Sequence, residues 1–271
     1  MSEDREIGFI GLGAMGKPIC QHFIEKGYSV LAWNRSLDSL EKWISENNIS
    51  RDRIKIVENI QDCLSSSSGI VFSCVSNDIA LEYIVCNPNG ILKTIGRGGV
   101  HVCFSTVSPT IANAMEGLHE SVGASYISCP VVGRPNVAVA KRLIAICAGH
   151  QLAVVRILPF LQIISQKIVL AGDSATNSNV LKLCGNFMLL SMIQAQAEAY
   201  TLAESAGVKR ELAYDFIAGP NGIFNKLPLL GFILYLIISS YNDLINRNIW
   251  WNDIITIISS GIYCREWSEG Y

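Results

Sequence analysis

The start of the chain constrains its fold more than any other feature. Ile7-Gly8-Phe9-Ile10 is an uncharged, mostly apolar run that stops at Gly11-Leu12-Gly13-Ala14-Met15-Gly16. From Pro18 to Lys26, apolar residues recur at 19, 20, 23 and 24, and Gly27 follows. A short apolar run halted by glycines reads as a buried strand, and three-to-four spacing closed by glycine reads as a helix. Tyr28-Ser29-Val30-Leu31-Ala32-Trp33 then supplies a second strand, completing a strand–turn–helix–strand unit.

The alternation continues. Ile70–Val75, Val100–Phe104, Ser125–Ser128, Leu143–Ala148 and Lys167–Leu170 read as further strands, most of them separated by helical stretches. This rhythm predicts a Rossmann-type doubly wound, largely parallel sheet. It changes at Gly172: from Thr176 to Ala206 there is no proline, only one glycine (Gly185), and helical spacing throughout. One long helix ended by Gly207, then a shorter one over Lys209–Ile217, predicts a smaller all-helical domain. The expected partition is 1–172 for the nucleotide-binding domain and 173–271 for the helical one, atypical after about residue 222.

Composition narrows the function. A net charge of −2 and the absence of any basic run give nucleic acid nothing to bind. The nine cysteines contain no Cys-x-x-Cys pair, so they read as reduced, buried thiols of a cytosolic protein without a metal site. Met1–Glu6 is too short and too charged for a signal peptide. The apolar run Leu227–Ile238 is shorter than the roughly 18–20 residues of a membrane span and reads as a buried helix or an interface.

A G-x-G-x-x-G pattern is weak alone, since tight turns carry it without any ligand. Here it stands between a strand and a helix, the context a pyrophosphate site requires. Gly11 permits the turn, Gly13 lets backbone approach the phosphates, and Gly16 lets strand and helix pack closely. Leu12, Ala14 and Met15 complete the cradle, and phosphate meets free N–H groups at the helix start. After the second strand stands Asn34-Arg35-Ser36, where an NAD enzyme usually carries a carboxylate. Arg35, helped by the Ser36 hydroxyl, can pair with a 2′-phosphate, so NADP is expected, with NAD possible. The alternative for Arg35 is an ordinary solvated side chain.

With these motifs in place, the chain resembles the β-hydroxyacid dehydrogenases over roughly residues 6 to 220. This is the family of 3-hydroxyisobutyrate dehydrogenase, with a cofactor domain of the 6-phosphogluconate dehydrogenase type. Gly8–Gly16 matches its cofactor signature, and Asn34-Arg35-Ser36 its NADP-preferring branch. Cys74-Val75-Ser76-Asn77-Asp78 matches its loop over the cofactor, and Ser105-Thr106-Val107-Ser108-Pro109 its substrate and nicotinamide loop. Lys182-Leu183-Cys184-Gly185-Asn186 matches the Lys-x-x-x-Asn of its catalytic helix.

The resemblance implies hydride transfer between a nicotinamide and a small hydroxy acid or aldehyde. Lys182 is then the general acid/base, Asn186 orients it or the substrate, Ser105 binds substrate, and Val75, Ser76 and Thr106 lie by the cofactor. The residues agree: Lys182 and Asn186 are four apart on a helix and share a face. Leu181, Leu183 and Cys184 give Lys182 apolar surroundings that lower a lysine pKa. A helical lysine without the motif would instead read as structural. Ser108 before Pro109 also reads as a helix cap, which is compatible with the loop's presenting a ligand.

Two departures stand out. The family's Ser-Gly-Gly turn, which grips a substrate carboxylate, is here Val132-Gly133-Arg134. Arg134 either pairs with an acidic substrate, narrows the pocket, or points outward. After Pro220 the family pattern is lost, and no lysine follows Lys226. A cofactor-binding protein with weak catalysis and an imine reductase are therefore the rival readings; intact Lys182 weighs against both. A homo-oligomer through the helical domain is a further implication.

Overall fold

A computed structural model describes residues 5–66 and 68–223. Strand β1 (Glu6–Ile10), helix α1 (Gly16–Glu25) and strand β2 (Ser29–Trp33) form the opening unit. Helix α2 (Leu37–Glu46) leads to the short edge strand β3 (Ile54–Ile56), and a 3-10 segment over Ile60–Ser65 leads to β4 (Ile70–Ser73). Helices α3 (Asp78–Cys86) and α4 (Ile91–Thr94) precede β5 (Val100–Cys103), and α5 (Pro109–Ser121) precedes β6 (Ser125–Ser128). The six strands are parallel in the order β3-β2-β1-β4-β5-β6, the doubly wound topology expected from sequence. Its order reverses between β1 and β4, and the crevice beyond their C-terminal ends is where such sheets bind ligands.

Both faces of the sheet are buried, with the two-residue alternation of strands dividing side chains between two cores. Phe9, Phe72, Val102 and Phe104 face Phe23 of α1 on one side. Phe72 stacks on Phe104 at 5.5 Å and meets Phe23 in a tilted contact at 4.9 Å, a continuous aromatic seam. Val71, Cys103 and Tyr126 face Leu81, Ile84 and Met115 on the other.

The later strands depart from expectation. Strand β7 (Val131–Val132), helix α6 (Pro135–Val139), β8 (Leu143–Cys147), helix α7 (Gln151–Ile164) and β9 (Ser165–Leu170) build a separate sheet in the order β7-β8-β9. The reading of 143–148 and 167–170 as further strands of the main sheet is corrected. The single bridge from β6 to this segment, Ser128 to Ala148, is antiparallel, and β7 also meets β8 antiparallel. The chain reverses after β7, through α6, so β8 runs the wrong way to extend a parallel sheet. All eight described cysteines are free, but Cys86 and Cys184 are exposed, which corrects the reading of every thiol as buried.

Helix α8 spans Ala175–Ser205 and α9 spans Arg210–Ile217, close to the expected bounds. The chain divides into two compact units between Cys184 and Gly185, within α8. In the second, Tyr200 and Ala213 form a small core joined by Ile193, Ala197, Tyr214 and Ile217. Among the described residues no helix is long and apolar enough to cross a membrane. The run Leu227–Ile238 lies outside the described residues.

Candidate functional site

The loops that leave β1, β4 and β5 meet at the C-terminal end of the main sheet, and short-range sterics explain their sequences. Gly11 has φ +88°, and a Cβ there would stand 2.4 Å from the Cys74 carbonyl oxygen. Only glycine fits. A Cβ on Gly16 would meet the Gly11 oxygen at 2.1 Å, so turn and helix pack backbone to backbone. Gly13 is different: a Cβ would meet nothing within 4 Å. Its lack of a side chain leaves open space over the start of α1, which no side chain caps. Uncapped N–H groups beside a bare backbone cradle suit a pyrophosphate, so these residues fit a dinucleotide.

Two substitutions separate the glycine roles. Gly11→Ala is expected to destabilise the fold by about 2–4 kcal/mol through strain and clash. Gly13→Ala should leave the melting temperature unchanged and weaken binding of a nicotinamide dinucleotide about tenfold to a hundredfold, the worth of one or two charge-assisted hydrogen bonds. Thermal melts with fluorescence titration check both; equal melting temperatures for the two variants would contradict the assignment.

Asn34 locks the cradle to the end of β2. Its Oδ1 accepts from the Leu12 N–H at 3.1 Å, and its Nδ2 donates to the Ser36 carbonyl at 3.1 Å. Ser36 caps α2, its Oγ accepting from the Ser39 N–H at 3.4 Å. Arg35 between them is exposed, with no ion pair or hydrogen bond on its guanidinium among the described residues. Sequence reasoning missed Lys17, whose Nζ donates to Ser39 Oγ at 3.3 Å and so adds a second cation at the start of α2. Its partner lies 22 residues away, a pairing no local pattern announces.

The β4 and β5 loops are tied together. Ser105 is buried, and its Oγ accepts from the Val75 N–H at 2.7 Å. Its own proton remains free for a ligand oxygen. A second tie, missed in the sequence, is Asp78, whose carboxylate accepts from the Ser108 N–H at 2.9 Å. Ser108 caps α5 with Pro109 in its first turn, as expected. Ser76 and Thr106 are exposed at the loop tips. Gly133 has φ +145°, and a Cβ there would crowd Leu143 at 2.7 Å; Arg134 beside it is exposed.

Lys182 lies on α8, within the first compact unit. It is partly buried, its ammonium has no hydrogen bond or ion pair among the described residues, and burial holds its pKa below the usual lysine value. Burial disfavours the ammonium, so the shift is in the direction that eases release of its proton. Asn186 lies on the same helix within the second unit, partly buried. Among the described residues no cluster of His, Cys, Asp and Glu could hold a metal ion.

Comparison with known proteins agrees with the fold. Residues 6–172 match the family model described as the NAD binding domain of 6-phosphogluconate dehydrogenase, and the chain belongs to that family. It is 28% identical over 206 residues to YfjR, an uncharacterised oxidoreductase of Bacillus subtilis, covering 76% of this chain and 70% of that protein. It is 28% identical over 227 residues to the 2-(hydroxymethyl)glutarate dehydrogenase of Eubacterium barkeri, covering 82% and 71%. Among solved structures, the 3-hydroxyisobutyrate dehydrogenase of Mycobacterium tuberculosis superposes with a TM-score of 0.70 at 19% identity, covering 98% of this chain and 94% of that one.

Proposed function

We propose that this member of the family is an NADP-dependent oxidoreductase acting on a small hydroxy acid, or on the matching semialdehyde or 2-oxo acid, with Lys182 as general acid and base. The observation that carries the reading is Lys182 itself: a partly desolvated ammonium without a counterion among the described residues, on a helix anchored at the C-terminal end of the sheet. Relatives named as an oxidoreductase and a hydroxy-acid dehydrogenase support it.

When bound, the nicotinamide cofactor supplies or takes up the hydride. The chain's own residues do the rest. Gly11 to Gly16 hold the pyrophosphate, and Arg35 and Lys17 hold the 2′-phosphate beside the Ser36 cap. Val75, Ser76 and Thr106 line the nicotinamide side, and Ser105 donates its free proton to a substrate oxygen. In reduction, Lys182 gives its proton to the oxygen that becomes the alcohol; in oxidation it takes that proton back. Asn186 orients the lysine or the substrate. Gly133 leaves room for the substrate carboxylate, and Arg134 offers it a charge.

The test is oxidation of NADPH and of NADH with a panel of small aldehydes, semialdehydes and 2-oxo acids. Turnover of none of them by the folded protein would overturn the reading. The cofactor part has its own test: Arg35→Ser should weaken NADPH binding about tenfold or more and leave NADH binding little changed. Equal losses for both cofactors would remove Arg35 from the 2′-phosphate.

A further inference from the structure

The first two turns of α8 are held in an unusual way. Ala175, Ser178 and Asn179 are fully buried, whereas Val180, Leu181 and Leu183 are 43–46% exposed. The anchored face is therefore small and polar, and the large apolar residues point elsewhere. Positions 175, 178, 179 and 182 follow the i, i+3, i+4, i+7 rule, so Lys182 continues that same face one turn on.

Apolar contact does little to fix the helix here, and hydrogen bonds take over. At the helix start, Glu116 of α5 accepts from the Ala175 N–H at 2.9 Å. One turn later, Asn179 Nδ2 donates to Ser128 Oγ at 2.6 Å and lies 3.4 Å from the Ala175 carbonyl. Because a carbonyl only accepts, that second contact fixes which end of the amide is nitrogen. Ser128 is the last residue of β6, so the bond ties the helix to the sheet end where the β1, β4 and β5 loops gather. Asn179 Oδ1 is buried without a hydrogen-bond partner among the described residues. An amide kept only for folding would not leave its acceptor unsatisfied, since an apolar side chain of like size avoids that cost.

We propose that the Asn179–Ser128 hydrogen bond is the positioning device for Lys182. It sets the rotation of α8 about its axis and so decides how deeply the lysine ammonium lies at the end of the sheet. Asn179 and Ser128 are positioning residues; neither is assigned contact with substrate. The proposal rests on the reading of Lys182 as the proton-transfer group, and it predicts a property of that lysine that needs no turnover to measure.

The measurement is competitive labelling of the full chain with a trace amine-reactive acetylating reagent across pH, with Lys182 acetylation read by peptide mass spectrometry. Asn179→Leu and Ser128→Ala are compared with wild type, the double variant and Ser128→Thr, which keeps the hydroxyl. NADPH affinity and the melting curve report folding. Both single variants should move the half-labelling pH of Lys182 upward by about one unit, toward that of an exposed lysine. The double variant should move it no further than either single, and Ser128→Thr should restore it. If Asn179→Leu does not fold, Ser128→Ala and Ser128→Thr carry the test. An unchanged Lys182 profile in folded Ser128→Ala, or additive shifts in the double variant, would overturn the proposal. Failure of the substrate panel, with the labelling shift intact, would instead count against the proposed reaction alone.

Discussion

Lys182→Met is expected to lower kcat/KM by about 10²–10⁴-fold, the usual contribution of one positioned acid or base, with NADPH affinity and melting temperature unchanged. The fall should lie in kcat more than in KM, because the proton is needed in the transition state. The direction of the pH dependence also follows. Burial holds the lysine pKa below the ordinary value, since the ammonium is the form that burial disfavours. In the proposed reaction reduction requires the protonated lysine, so kcat should fall as pH rises through this lowered pKa. Oxidation requires the neutral amine, so its rate should rise through the same pH. Methionine removes both limbs, and a small exogenous amine should restore part of the rate to Lys182→Ala. Steady-state kinetics in both directions decide the matter: mirror-image limbs absent from wild type, or a variant as fast as wild type, would remove Lys182 from the chemistry.

How much of this was legible beforehand depends on how local each feature is. The opening strand, turn and helix were readable because Ile7, Phe9 and Ile10 are all buried, and the glycines answer to backbone contacts within the motif. Strand β3 escaped notice because it is a three-residue edge strand with Lys55 at its centre. β7 has only two residues. Strands β8 and β9 were recognisable as strands, but partner and direction are set by a turn and one bridge, not by their composition. The candidate residues of the site could be proposed from sequence because motifs are contiguous. What positions them is not: Asn34 reaches Leu12, Lys17 reaches Ser39, Ser105 reaches Val75, Glu116 reaches Ala175 and Asn179 reaches Ser128. Each pair joins residues at least 22 apart, through one side chain that looks unremarkable in its own segment.

The same limit hid a buried polar chain behind β4, β5 and β6, and it carries the second large effect. Ser73, Cys103 and Ser128 are register partners across the three strands, and His101 and Tyr126 occupy the row two residues before. His119 of α5 packs against both rings of that row, at 5.1 and 5.3 Å. The hydrogen bonds fix the protons. His119 Nδ1 lies 2.7 Å from the Met115 carbonyl, so it must donate. A neutral ring then leaves His119 Nε2 as acceptor for His101 Nδ1 at 3.1 Å, and His101 Nε2 accepts from Ser73 Oγ at 2.7 Å. With both histidines neutral every ring nitrogen is satisfied, and protonating both would set two N–H donors face to face between His119 Nε2 and His101 Nδ1. Burial lowers the pKa of both, His101 strongly and His119 to about 4, and no carboxylate is bonded to either ring.

The consequence for stability has a definite sign. In the unfolded chain these histidines protonate near the ordinary value of about 6.5. The native rings resist protonation, so the unfolded state binds more protons and stability falls as the pH drops. The loss should begin near pH 6.5 and continue to about 4 for His119, and lower still for His101. Within that window each histidine contributes a slope of about 1.4 kcal/mol per pH unit. The His119 share alone sums to about 3 kcal/mol, a large part of the 5–15 kcal/mol typical of a domain. Most of the window lies above the pH where ordinary carboxylates titrate, which separates the histidine effect from general acid unfolding. Urea unfolding measured from pH 7.5 down to 4.5 tests it, with the slope converted to protons taken up. Close to two protons per chain are expected by pH 5.5, and a flat profile between 6.5 and 5 would mean that the two rings are not both held neutral in the native protein.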